Sequence, residues 1–492
     1  MAENGIWAPR VAQEQRLREF DRIVAIGEAA IETRIERAIL LNALGRQADA
    51  RRAFVDILLQ SPTHFSTLNE LANVLVSGGF TAAACRVYSE AIAHHPANPV
   101  GHCNLANLFL QGGNLDGPRK HYERVLDIDP DHPQAHQGLG ATLAGLGDRS
   151  GAQRHFDQGF RDHFMTSLPY RGDRPPVNLL LLVSSGSGNI PVASFIDNRI
   201  FATTVVVADY FDFSSPLPPH QVVFNSIGDA DLCQPALKAA ARLLRKTAAP
   251  VVNNPVRVIN TGRLANAERL RGLPGVVTPR MAAVFREVLA GPDGPAVLAR
   301  QGLSFPLLLR SPGFHTGHHF MLIESAGDLP AAASSLPGDE LLAIEYLDAR
   351  GADGNARKYR VMIIDGEVYP LHLAVSRRWK VHYFTADMAD HADHRVEDAA
   401  FLDDMPRILG DTAVAALKRI AREMSLDYAG VDFCLSPTGD GRLFEANATM
   451  VVNPPESDAR WAYRHKAVTQ ILDAARTMIS RRATGAAKRS AA

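Results

Sequence analysis

Three prolines set the frame for the first third of this chain. Pro62, Pro96 and Pro130 follow one another at 34-residue intervals, each closing an apolar stretch of helical character: LLQSP, IAHHP and LDIDP. A period of that length signals one supersecondary unit used several times over. Aligned on the prolines, the units begin near Ile31, Phe65, Pro99 and Pro133. Leu71, Leu105 and Leu139 then coincide, each followed by a small residue, Ala72, Ala106 or Gly140. Phe54, Tyr88, Tyr122 and Phe156 recur in the second helix of each unit, while Ala50, Ala84 and Ala152 mark the close contact between paired helices. Pro118 stands where the third unit should carry that alanine. In the first turn of a helix its missing N–H does no harm.

Over residues Ile31 to Asp162 this pattern resembles the tetratricopeptide (TPR) family. One helix pair cannot bury its apolar stripe alone, so neighbours stack into a solenoid with a concave face. Residues 1–30, with a helix over Leu17–Ala30, are expected to cap the array, which runs over 31–168. The resemblance implies a partner that is an extended peptide or a protein.

The bulk numbers exclude several classes. Lys+Arg at 52 against Asp+Glu at 53 leave no global field to attract nucleic acid or an anionic membrane. The longest apolar runs, such as Val177–Val183, are too short to span a bilayer. Cys85, Cys103, Cys233 and Cys434 lie scattered without ligand or disulfide spacing, which fits small core residues in a reducing compartment. A cytoplasmic protein is the expectation.

From Pro169 onward strands alternate with helices. Val177–Val183, Thr203–Val207 and Val222–Asn225 read as short apolar strands, and Pro235–Lys246 and Ala265–Arg271 as amphipathic helices. SSGSGNIP after the first strand is a tight turn that could approach an anion.

The densest chemistry lies near the C-terminus. Tyr428–Ser436 and Arg442–Glu445 read as strands around Pro437, Thr438, Gly439, Asp440 and Gly441. A two-residue Thr438-Gly439 loop puts Asp432 across from Glu445, and a four-residue loop puts it across from Asn447. Either register keeps all three on one face. Adjacent carboxylates repel, and a hard divalent cation resolves the conflict. Upstream, Leu307–Arg310 is a strand ending in a cation, followed by a loop with Gly313 and Gly317 whose N–H groups can face phosphate. Lys358 and Arg360 alternate along one strand and share a face. Arg377 and Arg378 follow the strand Glu367–Ser376. His315, His318 and His319 sit on the loop without a partner at ligand spacing, so a polar role near phosphate is expected rather than a metal. His372 and His382 fit either core hydrogen bonding or substrate contact.

In their order, the segments NNPVRVINTGRLANAERLRGLPGVVTPR, FPLLLRSPGFHTGHHF, LLAIEYLDARGADGNARKYRVMIIDGEVYPLHLAVSRRWKVHYFTADM and DYAGVDFCLSPTGDGRLFEANATMVVNPP resemble the ATP-grasp superfamily, in particular its glutathione-synthetase-like and D-alanine–D-alanine-ligase-like members. The expected fold is therefore an all-α TPR solenoid followed by an α+β/α/β ATP-grasp module. It comprises an N-terminal α/β domain over 169–250, the ATP-grasp domain over 251–480 and a disordered basic tail over 481–492.

The resemblance implies ATP and Mg²⁺, with Mn²⁺ as a substitute, the metal held by Asp432, Glu445 and Asn447. Arg310 and Arg263 stand where the family carries lysines on the nucleotide phosphates, a departure that keeps charge but not geometry. Gly313 and Gly317 would close over phosphate. Glu345, Tyr346 and Leu347 look like the hinge that reads adenine, with Asp348 toward the ribose and Lys358 also on the nucleotide. Arg360 and Arg377 resemble the arginines at the reacting centre. The implied activity is a carboxylate–amine ligase working through an acyl phosphate, the repeats recruiting a peptide or protein. A non-catalytic nucleotide-binding adaptor and a phosphotransferase are the rival readings. The acid, the amine and the oligomeric state, a homodimer included, stay open.

Overall fold

The computed structural model describes residues 10–27, 29–314, 317–383, 386–456 and 458–490. Helix α1 (Arg10–Ala25) is followed by paired helices: α2 (Ile31–Ala43) with α3 (Gln47–Leu58), α4 (Phe65–Ser77) with α5 (Thr81–His94), α6 (Pro99–Gln111) with α7 (Asp116–Ile128), and α8 (Pro133–Gly145) with α9 (Arg149–Gly159). The pairs begin at residues 31, 65, 99 and 133, where the proline alignment placed them. Pro118 lies in the first turn of α7. The cap starts earlier than expected and stops at Ala25, short of Gly27 with its positive φ of 88°. Leu17 packs with Ile35 and Leu41, and Arg37 pairs with Asp21 at 2.7 Å.

One periodic feature escaped the sequence reading. Gly45, Gly79, Gly113 and Gly147 all have positive φ, between 74° and 88°, one in the turn of each pair. Beside them Arg46, Phe80, Asn114 and Asp148 donate back to the carbonyls of Leu41, Leu75, Phe109 and Leu143. This is the helix-ending arrangement that needs a left-handed residue. A polar ladder repeats too. The Tyr88 hydroxyl donates to Asn73 Oδ1 at 2.5 Å, and Tyr122 to Asn107 at 2.6 Å. His102 and His121 face each other Nδ1 to Nδ1 at 3.0 Å, as His136 and His155 do at 2.8 Å. His102 Nε2 donates to the Pro96 carbonyl and His136 Nε2 to that of Pro130, so in each neutral pair the outer ring donates through Nδ1.

Residues up to Asn178, with Asn198–Pro216, make one compact unit; Leu179–Asp197 and the chain from Leu217 make the other. The stretch 169–250, expected as one α/β domain, is thus divided between them. In the first unit β1 (Met165–Ser167) pairs antiparallel with a strand over Phe201–Val207. In the second, residues Leu179–Leu182 of β2 (Val177–Val183) run parallel to the strand Val222–Asn225, which runs parallel to Val251–Val252.

Two further sheets build the rest of the second unit. The first orders Met281–Phe285, Glu340–Glu345, Leu307–Arg310 and Phe320–Ile323 across its width. Its apolar face packs Leu307, Leu309, Leu341 and Ala343 against Leu289, Leu298 and Leu329 of short helices. The second orders Glu367–Ser376, Ala356–Ile364, Tyr428–Leu435, Gly441–Asn447 and Val276–Val277. Glu367–Ser376 is its edge strand. That position accommodates Pro370 beside a bulge, since proline cannot donate to a ladder.

The tail differs from expectation. Helix His465–Ser490 continues through the basic residues. Arg482 holds Asp365 at 2.6 Å and Asp427 at 2.7 Å, and Ala483 is buried, so the helix is tied down where disorder was expected. The four cysteines form no disulfide with one another. Among the described residues no helix is long and apolar enough to cross a membrane.

Two outcomes check this packing. A Cβ on Gly138 would stand 2.2 Å from Tyr122 Cζ, whereas one on Gly112 meets only ordinary contacts at 3.4 Å and beyond. Gly138→Ala is expected to cost about 1–3 kcal/mol, and Gly112→Ala to change stability by less than about 0.5 kcal/mol, both read from thermal unfolding. Burial and the facing imidazole lower the proton affinity of His121, as burial, His136 and Arg154 do for His155 against the weaker pull of Glu123 and Asp148. The folded array thus binds fewer protons than the unfolded chain, and stability is lost as pH falls through about 6.5. Protection factors for amide exchange over residues 99–159, corrected for the intrinsic rate at each pH, should fall on acidification, and His121→Leu with His155→Leu should remove most of that response.

Candidate functional site

The acidic hairpin takes its expected register by an unexpected route. The loop is three residues, Pro437–Gly439, with Ser436 N–H donating to Asp440 O and Gly439 at φ 84°. That loop pairs Phe433 with Leu443; a bulge at Phe444 then brings Asp432 opposite Glu445 and Gly430 opposite Asn447. The loop alone would have put Phe444 across from Asp432, and the bulge restores the acid to the shared face.

The neighbouring strand supplies the counter-charge. Arg360 is the register partner of Asp432, and its guanidinium grips the carboxylate from two sides, Nε to Oδ1 at 2.5 Å and a terminal nitrogen to Oδ2 at 2.7 Å. Lys358, two residues earlier on the same face, reaches Oδ2 at 3.1 Å. Asp432 is buried, which favours the neutral acid, yet the charges of Arg360 and Lys358 hold its carboxyl well below the usual carboxylate range. Burial likewise opposes the charge on Arg360, and Asp432 restores it and raises its proton affinity.

Glu445 faces a cleft between the four-stranded sheet and the five-stranded sheet that carries the hairpin. Its Oε1 accepts from Arg263 at 2.5 Å and from Asn447 Nδ2 at 2.6 Å. Among the described residues its Oε2 accepts no hydrogen bond. Asn447 Oδ1 is held by the N–H and hydroxyl of Thr449, both at 3.0 Å. Arg263, Arg310, Gly313, Glu445 and Asn447 all line this cleft, with Asp229, Asp231 and Asn266. Asp231 accepts the Arg263 N–H at 3.0 Å, setting an acid at the start of helix Arg263–Leu270 where the helix dipole favours one. Burial raises the Asp231 carboxyl above its ordinary range. Arg310 bonds the Phe314 carbonyl and has no ion pair among the described residues. Burial, then the like charge of Arg263, brings its guanidinium down to about 10. A half-buried cation in that condition attracts an anion.

The remaining expected residues lie elsewhere. Glu345 accepts the Arg280 N–H at 2.9 Å, Tyr346 and Leu347 follow the strand, and Asp348 is bound to Arg350 at 2.7 Å; none of them lines the cleft with Arg310. Gly317, at φ 75°, accepts from Lys380 through its carbonyl. Lys358 stays with Asp432. Arg377 is exposed and lines neither this cleft nor the next, its N–H donating to Asp387. His315 lies outside the described residues, while His318 is exposed and His319 packs edge-on to Phe314.

A second cleft in the same unit is lined by Arg360, His372, His382, Tyr383, Trp461 and Arg464, among others. Arg464, Trp461 and Tyr383 belong to no spacing pattern, and the sequence reading passed over them. Behind this cleft Asp398, fully buried, accepts the edge-strand N–H of Leu373 at 2.7 Å and the Tyr463 hydroxyl at 2.6 Å.

The chain thus combines a helical repeat region that resembles TPR with a mixed α/β region of several sheets. No protein-family model matches it, and no curated protein matches it. Solved structures do. The MamA RS-1 ArsTM double mutant is 23% identical over 30% of this chain and 83% of its own, with a TM-score of 0.28. MamA 41-end from Desulfovibrio magneticus RS-1 is also 23% identical, over 30% and 85%, at 0.28. YrrB, described as a TPR protein with an unusual peptide-binding site, is 18% identical over 30% and 77%, at 0.27.

Burial raises the Asp398 carboxyl from its ordinary 3.8 to about 6, against the pull of its two donors. The folded state then holds a proton that the unfolded chain has lost, so stability declines as pH rises from about 4 to about 6. Asp398→Asn removes the ionisation, and its stability relative to the parent should improve by about 3 kcal/mol between pH ~4 and ~7. Paired denaturation curves at the two pH values read the difference.

Proposed function

We propose that the second unit is an ATP- and Mg²⁺-dependent carboxylate–amine ligase of ATP-grasp type, and that the repeat region recruits a peptide or protein. The observation that carries this reading is the cleft between the four-stranded sheet and the sheet that carries the hairpin. Two guanidiniums, Arg263 and Arg310, and the glycine loop at Gly313 share it with Glu445 and Asn447. Cations suited to phosphate and oxygens suited to a hard cation thus line one space.

The donor set fits the metal in part. Glu445 offers its open Oε2, and Asn447 stands beside it at 2.6 Å. Asp432 shares their face but has both oxygens engaged by Arg360 and Lys358, so it joins the set only when Lys358 yields Oδ2. A bound Mg²⁺ would neutralise the nucleotide phosphates there. Arg310 and Arg263 would orient the phosphate chain, and Arg360, only once Asp432 turned to the metal, would be released toward an anionic acceptor. In the reaction itself a substrate carboxylate oxygen attacks the γ-phosphorus and ADP leaves. An amine then attacks the acyl carbon, phosphate leaves, and the amine proton passes to solvent. Arg377 has no part in this reading.

A nucleotide-binding adaptor is the second reading, favoured by the closed Asp432 ion cluster and by arginine at both positions where the family carries lysine.

ADP release by the full chain, measured with ATP, Mg²⁺ and panels of amino acids and peptides, tests the proposal. Turnover should need Mg²⁺ and fall at least about 100-fold in Glu445→Gln and in Arg310→Ala. Hydroxylamine should trap the acyl phosphate as a hydroxamate. Nucleotide binding without ADP release would favour the adaptor, and ADP release without trapping would favour transfer to a hydroxyl. Absence of nucleotide binding would sink both readings.

A further inference from the structure

The second cleft holds a charge that no acid among the described residues pairs with. Arg464 closes the short helix Ala459–Arg464 and is 8% exposed, its guanidinium 4.3 Å from the centre of the Tyr383 ring. Among the described residues it forms no ion pair, and its Nε is buried without a hydrogen-bond partner. Asp398 acts on it only from a distance, because the Asp398 oxygens are taken by Leu373 and Tyr463. His372, from the edge strand, lines the same cleft at 5% exposure, and its Nε2 is also buried and unpartnered.

A buried cation without a counter-charge is costly. The face of an aromatic ring returns only part of that cost. Buried polar groups are almost always satisfied, so two without a partner in one cleft wall call for a group from outside the chain, a water or a ligand.

The other charges of the lining narrow its chemistry. Arg360 is neutralised by Asp432, and Arg460 by Asp458 at 2.8 Å. Among the described lining residues, Arg464 is therefore the arginine left without an ion pair. Glu456 is the one acid in the lining and has no ion pair among the described residues. The rest of the wall is largely apolar, with Leu371, Met388, Val451 and Trp461. A phosphate would place two charges against one and face Glu456 as well.

We infer that this cleft binds a small α-amino acid, its carboxylate on Arg464 and its ammonium toward Glu456. The planar guanidinium matches a carboxylate with two parallel hydrogen bonds. The apolar wall and the Trp461 ring take the side chain. Only in calling that amino acid a substrate does the inference rest on the ligase reading; its binding does not.

Calorimetric titration of the full chain without nucleotide tests it, using L-phenylalanine, L-leucine and L-glutamate, the amine-free 3-phenylpropionate, and inorganic phosphate. At least one amino acid should bind saturably and more tightly than 3-phenylpropionate, and phosphate should not bind. Arg464→Met should weaken binding at least about tenfold, and Glu456→Gln should erase the preference for the amino acid over the amine-free acid. Glu445→Gln, altered in the other cleft, should bind the amino acid as the parent does. Amino-acid binding without ADP release would leave this inference standing while the ligase reading fell. No saturable binding by the parent, phosphate binding in place of amino acids, or full affinity in Arg464→Met would overturn it.

Discussion

The second unit is organised around one buried ion cluster, Asp432 with Arg360 and Lys358. Taking a carboxylate out of water is unfavourable by several kcal/mol, and it is tolerated only with close, well-aligned partners. The chain supplies them from adjacent strands in register, so the cluster fixes how Tyr428–Leu435 lies against Ala356–Ile364. A slip of one residue would turn Arg360 to the other face and strand Asp432 without charge. The two clefts are set by the same register. Glu445, across from Asp432, faces one of them, and Arg360 lines the other. The segment after the hairpin, from Thr449 on one wall to Asn453 and Glu456 on the other, runs along both.

Much of the helical region could be read from its residues because its physics is local and repeated. A 34-residue period fixes where each pair begins, and side chains such as Ala50, Ala84 and Phe54 reveal the buried face by size alone. The left-handed glycines at 45, 79, 113 and 147 carried the same period in plain view, yet prolines drew the alignment first. The histidine pairs were harder. His102 and His136 share the spacing, but their partners His121 and His155 lie on the second helix of each pair, and only the packing of two helices puts the Nδ1 atoms at 3.0 and 2.8 Å.

In the mixed region, strands with strong apolar runs were legible, among them Val177–Val183, Val222–Asn225, Leu307–Arg310 and Glu367–Ser376. The hairpin was legible in outcome but not in means. Alternation predicts that Asp432 and Glu445 share a face, whereas the bulge at Phe444 that makes it so has no signature among the residue types. The site was legible where charge and glycine cluster along the chain, as at Arg310 and Gly313. It was not legible where partners arrive from distant segments. Nothing in the sequence around Asp432 says that Arg360 and Lys358 will claim its oxygens, because that depends on strand order. The tail misled for a related reason: a run of basic residues looks solvated until Asp365 and Asp427 are found beneath Arg482.

The cost of an unpaired buried charge also separates two arginines of the second cleft. Arg360 is half-buried and Arg464 buried in one cleft wall, yet among the described residues one is paired with Asp432 while the other meets an aromatic ring and no acid. A fold under selection for stability alone would place an acid near Arg464 or replace it with an apolar residue of similar volume, since either change removes the cost of an unanswered charge. Asp398 sits close enough to be felt by Arg464, but its oxygens are given to Leu373 and Tyr463, and burial keeps its carboxyl partly protonated into the mildly acidic range. Asp398 is thus withheld from Arg464 by the very contacts that secure the edge strand. What remains is a guanidinium held rigid against Tyr383, dry on one side and open to the cleft on the other, an arrangement in which an arriving carboxylate gains more than it would at any solvated arginine.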